Sequence, residues 1–472
     1  MTSLSPDFLT AAKSLLGPSG WSEDADLLAQ HANPWRGKFS GHTPFLARPA
    51  STEETAALVK LCSAHGVAMT PQGGNTGLVD GGTPHGEICV SMGRMRAIRA
   101  VDTLNNSLTI EAGAPLVFAQ DAATETARLF PLSLGSEGTA TIGGLISTNA
   151  GGVAVLRYGM MRDLILGLEV VLPSGEIWDG LSGLRKNNTG YDLKHLFAGA
   201  EGTLGIITAA TLKLFPAVQT ATAWITAPSA QSIVELLALM RAHAGDTVTS
   251  FEMIPANAIT MVQGDDPDIR DPAPSKAPWR VLCEISMPSA DMANAMLETG
   301  LADAFEKGLI SDAKIATSGQ QAADFWKIRE TIPLSKRAYK TAVNHDISVP
   351  VSRIPDFLDT CAKAVHAIAP DAELLAFGHV GDGNLHYSAC EPTDTDTPII
   401  GQLTDEITGA VYETTMAHGG SISAEHGVGQ LKRDALVSLR PPAATHAMLA
   451  IKKALDPKNI MNPGRVVDTS SL

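Results

Sequence analysis

The sequence predicts an α+β fold divided into two domains, and three observations lead to that prediction. The chain has 472 residues, more than one ordinary hydrophobic core encloses. Hydrophobic residues make up 44% of the sequence and charged residues 18%, which is the balance of a folded globular protein rather than a disordered one. Short β-branched runs alternate with helical patterns, and glycine, proline or asparagine bounds each run.

The first part of the chain contains a helix followed by short strands. Residues 52–66 have the pattern of an amphipathic helix that begins near Thr52 and ends at Gly66. The predicted strands cover residues 87–92, 107–113, 164–175 and 205–215. These elements predict one α+β unit with many glycines at its turns.

After Pro216 the pattern changes to longer helices and strands. Helices are predicted over residues 230–243, 291–307, 355–369 and 443–455, with a strand over 279–286. One face of the third helix carries Phe357, Cys361, Val365 and Ile368, so Cys361 is expected in the core. Residues 263–278 are rich in proline and predict an exposed loop.

Charge and composition exclude several classes of protein. The net charge of −15 argues against nucleic acid or an anionic membrane as the main partner. No apolar run reaches the length of about 20 residues that spans a membrane, so no transmembrane segment is expected. The first residues lack the basic region of a signal peptide. Five scattered cysteines without a CxxC pair favour a reducing compartment, and we expect the protein in the cytoplasm.

Two glycine-rich stretches are the clearest local signal. The first is "PQGGNTGLVDGG" at residues 71–82, where Gly73, Gly74 and Gly77 allow successive N–H groups to point at an anion. Taken alone, it fits a tight glycine turn as well as a phosphate site. The second, "PLSLGSEGTATIGGLISTNAGG" at 131–152, repeats this character, as does "GAEGTLGIIT" at 199–208. Together they indicate a long ligand approached closely at two places, such as a dinucleotide.

Two histidines flank a predicted turn in "GHVGDGNLHYS", residues 378–388. A two-residue type I′ turn at Asp382 and Gly383 would place His379 directly opposite His386, with Cβ atoms roughly 5 Å apart. That distance suits chelation. Two structural histidines on a hairpin fit the same pattern.

A third candidate ligand lies in "SAEHGVG", residues 423–429. Glu425 would complete a zinc-type set of two imidazoles and a carboxylate with an open position. His426 follows it, and strand neighbours point to opposite faces unless Gly427 permits a twist of the backbone. The alternative is a surface carboxylate beside a packed histidine ring.

These motifs resemble a flavoprotein family. The glycine-rich stretches, "RYG" at 157–159 and "EGTLGIIT" at 201–208 are similar to the FAD-binding domain of vanillyl-alcohol-oxidase-type flavoproteins. The two histidine motifs and "LDPKNIMNPG" at 455–464 narrow the resemblance to the FAD-dependent D-2-hydroxy-acid dehydrogenases, which include D-2-hydroxyglutarate and D-lactate dehydrogenases. The similarity runs from about residue 40 to residue 466, nearly the whole chain.

The resemblance implies the domain organisation. It implies a two-part FAD-binding domain of the vanillyl-alcohol-oxidase type plus an α+β cap domain with a central antiparallel sheet. The expected divisions are an N-terminal helical segment at 1–40, the FAD-binding domain at 41–218, the substrate (cap) domain at 219–425 and a C-terminal segment returning to the flavin at 426–472.

The resemblance also implies which residues contact FAD. The expected cofactor-binding residues are Pro71, Gly73, Gly74, Asn75, Thr76, Gly77, Leu78, Pro131, Gly135, Ser136, Thr141, Gly143, Gly144, Ser147, Thr148, Asn149, Gly151, Gly152, Tyr158, Gly159, Glu201, Gly205, Ile207 and Asn462. Some members attach FAD covalently through a histidine in these loops. Here the loops offer only His85, so tight non-covalent FAD is expected.

The metal and the catalytic base follow from the same resemblance. It places Zn²⁺, or Mn²⁺ or Co²⁺, on His379, His386 and Glu425, and it makes His426 the base that accepts the hydroxyl proton. An imidazole, with an ordinary pKa of about 6.5, suits that role.

Substrate binding is expected in residues 324–350. Arg329 matches the arginine that clamps the substrate carboxylate, although a helix-surface arginine paired with Glu330 or Asp324 fits the pattern too. The further substrate-binding candidates are Asn344, Ser388 and Lys340. Asn344 stands where relatives active on 2-hydroxyglutarate tend to carry a lysine, and Pro333 and Ser388 also depart from their pattern. Lys336 or Lys340 is a candidate for the missing cation.

The expected reaction is oxidation of a D-2-hydroxy acid, with D-2-hydroxyglutarate the best guess, to the 2-oxo acid. The C2 hydrogen would pass as hydride to flavin N5, and electrons onward to a carrier such as an electron-transfer flavoprotein or a quinone. A carbanion route, D-lactate or D-malate as substrate, a metal-independent alcohol or lactone oxidase using O₂, and a non-enzymatic flavin-carrying subunit remain alternatives. The resemblance also makes a homodimer possible.

Overall fold

The computed structural model describes residues 4–34, 39–393 and 400–469. The chain divides into two compact units: unit 1 consists of residues 1–151, 159–217 and 425–472, and unit 2 of residues 152–158 and 218–424. Residues 1–3, 35–38 and 470–472 of the two predicted terminal segments lie outside the described residues. Within the described ranges, no helix combines the length and the apolar character needed to cross a membrane.

The helices have the following bounds. They are α1 (Pro6–Leu16), α2 (Ala25–Ala32), α3 (Thr52–His65), α4 (Leu116–Glu125), α5 (Ile142–Thr148), α6 (Val155–Tyr158), α7 (Met161–Leu164), α8 (Lys194–Phe197), α9 (Ala230–Ala244), α10 (Ala256–Asp265), α11 (Ala290–Glu306), α12 (Gly319–Ser335), α13 (Ile354–Ile368), α14 (Thr404–Ala417), α15 (Arg433–Leu439) and α16 (Pro442–Leu455). Short 3₁₀ turns cover Gly245–Thr247, Lys336–Ala338 and Val351–Arg353.

The strands have the following bounds. They are β1 (Trp21–Ser22), β2 (Leu46–Ala47), β3 (Met69–Gln72), β4 (Ile88–Ser91), β5 (Ile98–Asp102), β6 (Ser107–Glu111), β7 (Arg128–Leu129), β8 (Ile165–Val171), β9 (Ile177–Asp179), β10 (Ile206–Lys213), β11 (Phe215–Pro216), β12 (Gln219–Ala227), β13 (Val248–Pro255), β14 (Trp279–Met287), β15 (Asp312–Ile315), β16 (Thr341–Ser348), β17 (Glu373–His379) and β18 (Asn384–Glu391).

The predicted helices and strands are confirmed, although some boundaries differ; the strand predicted over residues 164–175, for example, covers only Ile165–Val171. Helix α3 covers the predicted range; the Ser51 side chain caps its first turn, and Gly66 ends it in the left-handed region with a φ of 63°. On α13, Cys361 is buried as expected. The loop predicted to begin at residue 263 begins later, because α10 continues to Asp265. The proline-rich composition marks only the residues beyond that helix.

Unit 1 contains two main sheets, which gives the two-part architecture expected of the FAD-binding domain. One has the strand order β1-β2-β4-β3, with β4 parallel to both β2 and β3. The other has the order β5-β6-β10-β8-β9 and is antiparallel. Parallel strands need long crossovers, and α3 supplies a helix within this region between β2 and β3. The first glycine-rich loop begins at the end of β3, and the second follows β7 and leads into α5.

The C-terminal segment completes the first sheet of unit 1. Met69 donates its N–H to the carbonyl of Ile460 at 2.8 Å, and Asn462 donates its own to the carbonyl of Met69 at 2.8 Å. The buried ammonium of Lys452 lies 2.6 Å from Asp456 and donates to the carbonyls of Thr203 and Met461. A buried charge is stable only when paired in this way, so the ion pair fixes the path of the segment.

Unit 2 is built on an antiparallel sheet with the strand order β15-β12-β14-β13-β17-β18-β16. Helices α9, α11 and α13 pack with the sheet's apolar residues in one core cluster. Helices α10 and α12 pack in a second cluster around Trp224, Leu282 and Phe377, on the opposite face. The polar residues described below lie on the face that α12 covers.

Candidate functional site

Four polar side chains form a row across adjacent strands of unit 2. Glu252 on β13 is opposite His379 on β17, and His386 on β18 is opposite Asp346 on β16. Side chains alternate between the faces of a strand, so this register places all four on the face that carries Phe377. We call these residues the polar row. Its two outer members are carboxylates, and its two inner members are imidazoles.

The turn that joins the two histidine strands differs from the prediction. Strand β17 ends at His379 and β18 begins at Asn384, so Val380–Gly383 form the loop and His386 is opposite Phe377 rather than His379. The predicted register is therefore wrong by two residues. Because a shift of two keeps each side chain on its original face, the histidines still meet, as diagonal neighbours. Their ring centroids lie 5.6 Å apart.

Glu252 bridges His379 and Arg329 and is fully buried. Its Oε1 atom lies 2.5 Å from Nδ1 of His379, and its Oε2 atom accepts a hydrogen bond from Nε of Arg329 at 2.8 Å. Burial acts to raise the pKa of the Glu252 carboxyl, but the charges of His379 and Arg329 and their hydrogen bonds lower it to about 2. Glu252 is therefore an acceptor that orients both partners.

His386 has a similar but longer contact with a carboxylate. Its Nδ1 atom lies 3.8 Å from Oδ1 of Asp346, which Nδ2 of Asn384 holds by a hydrogen bond of 2.9 Å. A ring nitrogen of His379 and one of His386 lie within 4.8 Å of each other. The contact of His379 with Glu252 is within hydrogen-bond distance, whereas the separation at His386 is too long for a hydrogen bond. A carboxylate that orients a histidine in the way Glu252 orients His379 is common beside metal sites.

A second polar group lies next to the row on the same face. Asn344 is opposite Ser388, each two residues along its strand from a member of the polar row. Lys336 follows α12 and donates through Nζ to Oδ1 of Asn344 at 2.5 Å and to Oγ of Ser388 at 3.3 Å. Its ammonium lies 5.6 Å from the ring centroid of Phe377. We call Lys336, Asn344 and Ser388 the lysine cluster.

The two other substrate-binding candidates differ in burial. Arg329 is 6% exposed, and its guanidinium lies 4.8 Å from the ring centroid of Phe377. Among the described residues, its two terminal nitrogens donate no hydrogen bond to a protein group, which leaves them for a ligand. Lys340 is exposed, and its backbone N–H donates to the carbonyl of Glu391 at 3.2 Å.

Sequence reasoning missed two members of the polar row. Glu252 is an isolated acid in the apolar run "VTSFEMIP", and Asp346 follows His345 in "NHDISVP". Charged residues are rarely buried unless paired, so a lone acid in a buried strand was a usable signal. Which base it meets depends on strand pairing across more than a hundred residues, and local pattern carries no information about that.

The glycines of the first loop in unit 1 allow close backbone contact with the segment before α5. A Cβ on Gly74 would lie 1.9 Å from the carbonyl oxygen of Thr139, and a Cβ on Gly73 would lie 2.1 Å from Oγ1 of Thr141. Both distances are impossible for a real side chain, so these two positions require glycine. Thr141 also caps α5 by accepting the N–H of Gly144 at 3.4 Å.

The same loops form a cradle that fits an anionic ligand. In the part of the chain described, the N–H groups of residues 74–78 donate no hydrogen bond to a protein acceptor. A Cβ added at Gly77, Gly135 or Gly138 would meet nothing within 4 Å, so the backbone there borders open space. Free N–H groups beside open space suit a diphosphate and a flat ring. The residues of unit 1 therefore fit FAD.

Most of the predicted cofactor residues lie in unit 1, and two do not. The residues in unit 1 are Pro71, Gly73, Gly74, Asn75, Thr76, Gly77, Leu78, Pro131, Gly135, Ser136, Thr141, Gly143, Gly144, Ser147, Thr148, Asn149, Gly151, Gly159, Glu201, Gly205, Ile207 and Asn462, whereas Gly152 and Tyr158 belong to unit 2. Asn462 donates through Nδ2 to the carbonyls of Gly81 and Glu201, both at 2.8 Å. Its buried Oδ1 has no hydrogen-bond partner among the described residues, so it can accept one from a ligand.

Glu201 holds the loop that carries His426. Its two carboxylate oxygens accept the N–H groups of Val428 at 2.7 Å and Gly429 at 2.8 Å. Burial raises the pKa of the Glu201 carboxyl to about 7, against the lowering effect of these two hydrogen bonds. Residues 424–426 form a bend rather than a strand, so the strict alternation of strand side chains does not apply to Glu425 and His426.

Comparison with known families agrees with the fold and with these loops. Residues 43–180 match the model for the FAD binding domain, and residues 217–466 match the model for the C-terminal domain of FAD linked oxidases. The two matches cover most of both units. The class of protein is therefore an FAD-linked oxidoreductase.

Curated relatives narrow this class. The chain is 37% identical over 473 aligned residues to the probable mitochondrial D-2-hydroxyglutarate dehydrogenase of Oryza sativa subsp. indica, covering 99% of this chain and 83% of the relative. It is 35% identical to the D-2-hydroxyglutarate dehydrogenase of Stutzerimonas stutzeri, covering 98% and 99%. The chain belongs to the family of FAD-dependent D-2-hydroxy-acid dehydrogenases that contains the D-2-hydroxyglutarate dehydrogenases.

Solved structures confirm the fold. p-Cresol methylhydroxylase with substrate bound is similar with a TM-score of 0.77 and 17% identity, covering 98% of this chain and 96% of the other. The 4-ethylphenol oxidase of Gulosibacter chungangensis has a TM-score of 0.74 and 16% identity, covering 100% and 99%. The vanillyl-alcohol-oxidase-type architecture expected from the sequence is thus confirmed.

Proposed function

We propose that this dehydrogenase oxidises a D-2-hydroxy dicarboxylic acid, with D-2-hydroxyglutarate the best candidate, in a reaction that needs a divalent cation and non-covalent FAD. The observation that carries the proposal is the polar row with the lysine cluster beside it. One group of residues suits a cation, and the other suits a carboxylate. A second carboxylate on the substrate would give the ammonium of the lysine cluster an anionic partner.

His379, His386 and Glu425 are the proposed ligands of the cation. The supporting observation is that Glu252 and Asp346 face the Nδ1 atoms of the two imidazoles. Glu425 follows directly after Ala424, the last residue of unit 2. When bound, the cation supplies Lewis-acid polarisation of the substrate hydroxyl and its neighbouring carboxylate.

Arg329 and Lys336 are the proposed partners of the substrate carboxylates. The terminal nitrogens of Arg329 present a planar fork, which matches a carboxylate. Asn344 and Ser388 each lie two residues, or about 7 Å, along the strand from a member of the polar row. That spacing is comparable to the distance between the outermost carboxylate oxygens of an extended five-carbon diacid, and a four-carbon diacid is shorter. Lys336 therefore takes the role that a lysine at position 344 has in the relatives considered above.

His426 is the proposed base, accepting the proton of the 2-hydroxyl. FAD, when bound, supplies the acceptor for the C2 hydrogen. The backbone N–H groups of 74–78 hold its diphosphate, and Asn462 offers a buried acceptor. His85 supports a non-covalent cofactor, since its Nε2 atom lies 2.8 Å from Oδ2 of Asp80 rather than being directed to open space.

The electron carrier and the compartment are also part of the proposal. A carrier such as an electron-transfer flavoprotein or a quinone receives the electrons, and the net charge of −15 favours a docking partner with a basic surface. All five cysteines are buried and unbonded, which supports the cytoplasm as the compartment. A homodimer is the proposed assembly.

Anaerobic reduction of the bound flavin by D-2-hydroxyglutarate, D-malate, D-lactate and glycolate tests the proposal. We expect fastest bleaching of the flavin with a dicarboxylate, loss of bleaching on chelation, and recovery with Zn²⁺ or Mn²⁺. Fastest reduction by D-lactate would make the enzyme a D-lactate dehydrogenase. Stoichiometric H₂O₂ in air with indifference to chelator would make it a metal-independent oxidase.

The variant His426→Ala tests the base. It is expected to retain its yellow colour and to lose turnover by a factor of about 10²–10⁴. Unchanged turnover would remove His426 from the mechanism.

A further inference from the structure

We propose that Glu201 is a positioning residue for the reaction, because its carboxylate holds the loop 425–429 in the shape that presents His426. This inference rests on the proposed role of His426 as the base. Glu201 itself touches neither substrate nor the reacting atoms in this proposal. It acts through the backbone of the loop.

The contacts between Glu201 and the loop are direct. The carboxylate uses one oxygen for the N–H of Val428 and the other for the N–H of Gly429. The side chain is 7% exposed, so water does not compete strongly for these bonds. Hydrogen bonds from N–H groups to a carboxylate are stronger than bonds between neutral groups. They begin two residues after His426, too close for the loop to shift at Val428 without moving the histidine.

The loop has a backbone shape that needs such an anchor. Gly427 and Gly429 have φ angles of 81° and 52°, in the left-handed region. A Cβ on Gly427 would lie 2.8 Å from Oε1 of Glu201, and one on Gly429 would lie 1.9 Å from the carbonyl of Val79. Two left-handed glycines leave the loop many conformations when it is not held. Glu201 selects one of them.

Glu201 is itself fixed by the cofactor-binding part of unit 1. Its N–H donates to the carbonyl of Ser147 on α5 at 2.8 Å, and Nδ2 of Asn462 donates to its carbonyl at 2.8 Å. Its own φ of 51° is left-handed, a conformation that non-glycine residues adopt only where the surroundings enforce it. Through Glu201, the position of the loop is therefore fixed by hydrogen bonds to α5 and to the C-terminal segment.

The test compares Glu201→Gln with Glu176→Gln, an exposed glutamate in the same unit. The purified flavin-loaded variants are assayed for flavin content, kcat and KM at saturating Mn²⁺. Glu201→Gln replaces one acceptor with an amide donor that faces an N–H group. We expect retained flavin, kcat lowered about 10–100-fold and KM within about twofold, since only the base is displaced. Glu176→Gln is expected to match the wild type.

Gly427→Ala is the second variant, and it covers the case in which Glu201→Gln loses its flavin or fails to fold. It crowds the same carboxylate from the loop side and should lower kcat in the same way. Where both variants fold, the double variant is expected to be no slower than the slower single variant, because both disrupt one contact. A merely structural effect of each substitution would instead add.

Two outcomes separate failure of this inference from failure of the proposed function. Wild-type kcat in Glu201→Gln, together with loss of turnover in His426→Ala, would overturn the positioning role and leave the base assignment intact. If Glu201→Gln does not fold, a wild-type kcat in Gly427→Ala would likewise overturn the positioning role. Full turnover in His426→Ala would overturn the base assignment itself.

Discussion

The Oε1 atom of Glu252 lies 2.5 Å from the Nδ1 atom of His379, and neither residue is near the other in sequence. The contact fixes the tautomer of the imidazole, because an ionised carboxylate only accepts. When the ring is neutral, Nδ1 must therefore carry the proton, and Nε2 keeps the lone pair that a metal needs.

Replacing Glu252 by glutamine should weaken the binding of the cation. The amide cannot enforce the tautomer of His379, and it leaves Arg329 without its carboxylate. Loss of such an orienting carboxylate typically lowers metal affinity about 10–100-fold. Competition with a fluorescent chelator measures the dissociation constant, and the exposed Glu306→Gln serves as the matched control. An unchanged dissociation constant would show that His379 does not bind the cation.

Replacing Lys336 by methionine should alter substrate preference rather than general activity. Methionine keeps the apolar stem over Phe377 but loses the charge. The value of kcat/KM for D-2-hydroxyglutarate should fall about 10–100-fold, whereas the value for D-lactate should stay within about twofold. The same measurement on Lys340→Met decides between the two lysines. A large effect in Lys340→Met alone would move the cationic partner to residue 340.

Replacing two glycines of the first loop by alanine should have different effects on the melting temperature of the protein without FAD. Gly74→Ala forces a Cβ to 1.9 Å from the carbonyl of Thr139, so the loop must move and the protein without FAD should already melt at a lower temperature. Gly77→Ala meets no protein atom within 4 Å and should leave that melting temperature unchanged. Both should bind FAD more weakly. Wild-type FAD affinity in Gly77→Ala would mean that the open space there is not the cofactor site.

Removal of the cation should stop turnover without removing the flavin. Dialysis against a chelator withdraws an ion held by exchangeable ligands, whereas the proposed FAD site in the loops of unit 1 does not depend on that ion. We expect the flavin absorbance to persist, activity to fall below about a tenth, and Zn²⁺ or Mn²⁺ to restore it. Elemental analysis of active protein provides the independent check. Full activity in metal-free protein would exclude the proposed cation.

The Glu169 carboxylate should stabilise unit 1 at neutral pH and lose this effect at strongly acidic pH. Burial acts to raise the pKa of its carboxyl, but hydrogen bonds from Thr52, Arg99 and Thr208 lower it below the ordinary value of 4.5. A folded-state pKa below the unfolded one means that the stabilisation is present above pH 4.5 and is lost as the pH falls through the folded value. Glu169→Gln removes charge-assisted hydrogen bonds from Arg99 and Thr208 and should lower the free energy of unfolding at pH 7 by about 2 kcal/mol.

The check is a series of denaturant unfolding curves between pH 7 and pH 3. The difference between the wild type and Glu169→Gln should narrow steadily below about pH 4.5. The exposed Glu176→Gln should follow the wild type at every pH. A gap that stays constant down to pH 3 would show that the Glu169 carboxylate does not titrate below its ordinary range.

Much of the fold was predictable, because local signals decide where elements begin and end. Ser51 and Gly66 bound α3 through a side-chain cap and a left-handed residue, and both preferences are local. The polar row was only half predictable. The histidines lie seven residues apart in one hairpin, and a two-residue error in the turn preserved their face. Glu252 comes from a strand that meets β17 only after the chain has crossed several other elements.

The cation of the lysine cluster shows the same limit. The family resemblance led us to expect a lysine where this chain has Asn344, and it left residues 336 and 340 as substitutes. Sequence position alone does not decide between the two lysines, because Lys336 begins a 3₁₀ turn at the end of α12 and Lys340 follows that turn. The geometry at that turn brings the side chain of Lys336 to Asn344 and Ser388. Only three-dimensional structure carries that information.

Unit 1 is assembled from segments that are synthesised at different times, because residues 218–424 of unit 2 come before its last segment. Residues 218–424 are synthesised before 425–472, so unit 2 has its whole sheet outside the exit tunnel while unit 1 still waits for Met461 to pair beside Met69. At about 5–20 residues per second the delay lasts some seconds. During that interval the first sheet of unit 1 lacks its C-terminal partner, although every residue of unit 2 has been synthesised. A chain that ends at Ala424 should therefore be isolated without flavin colour.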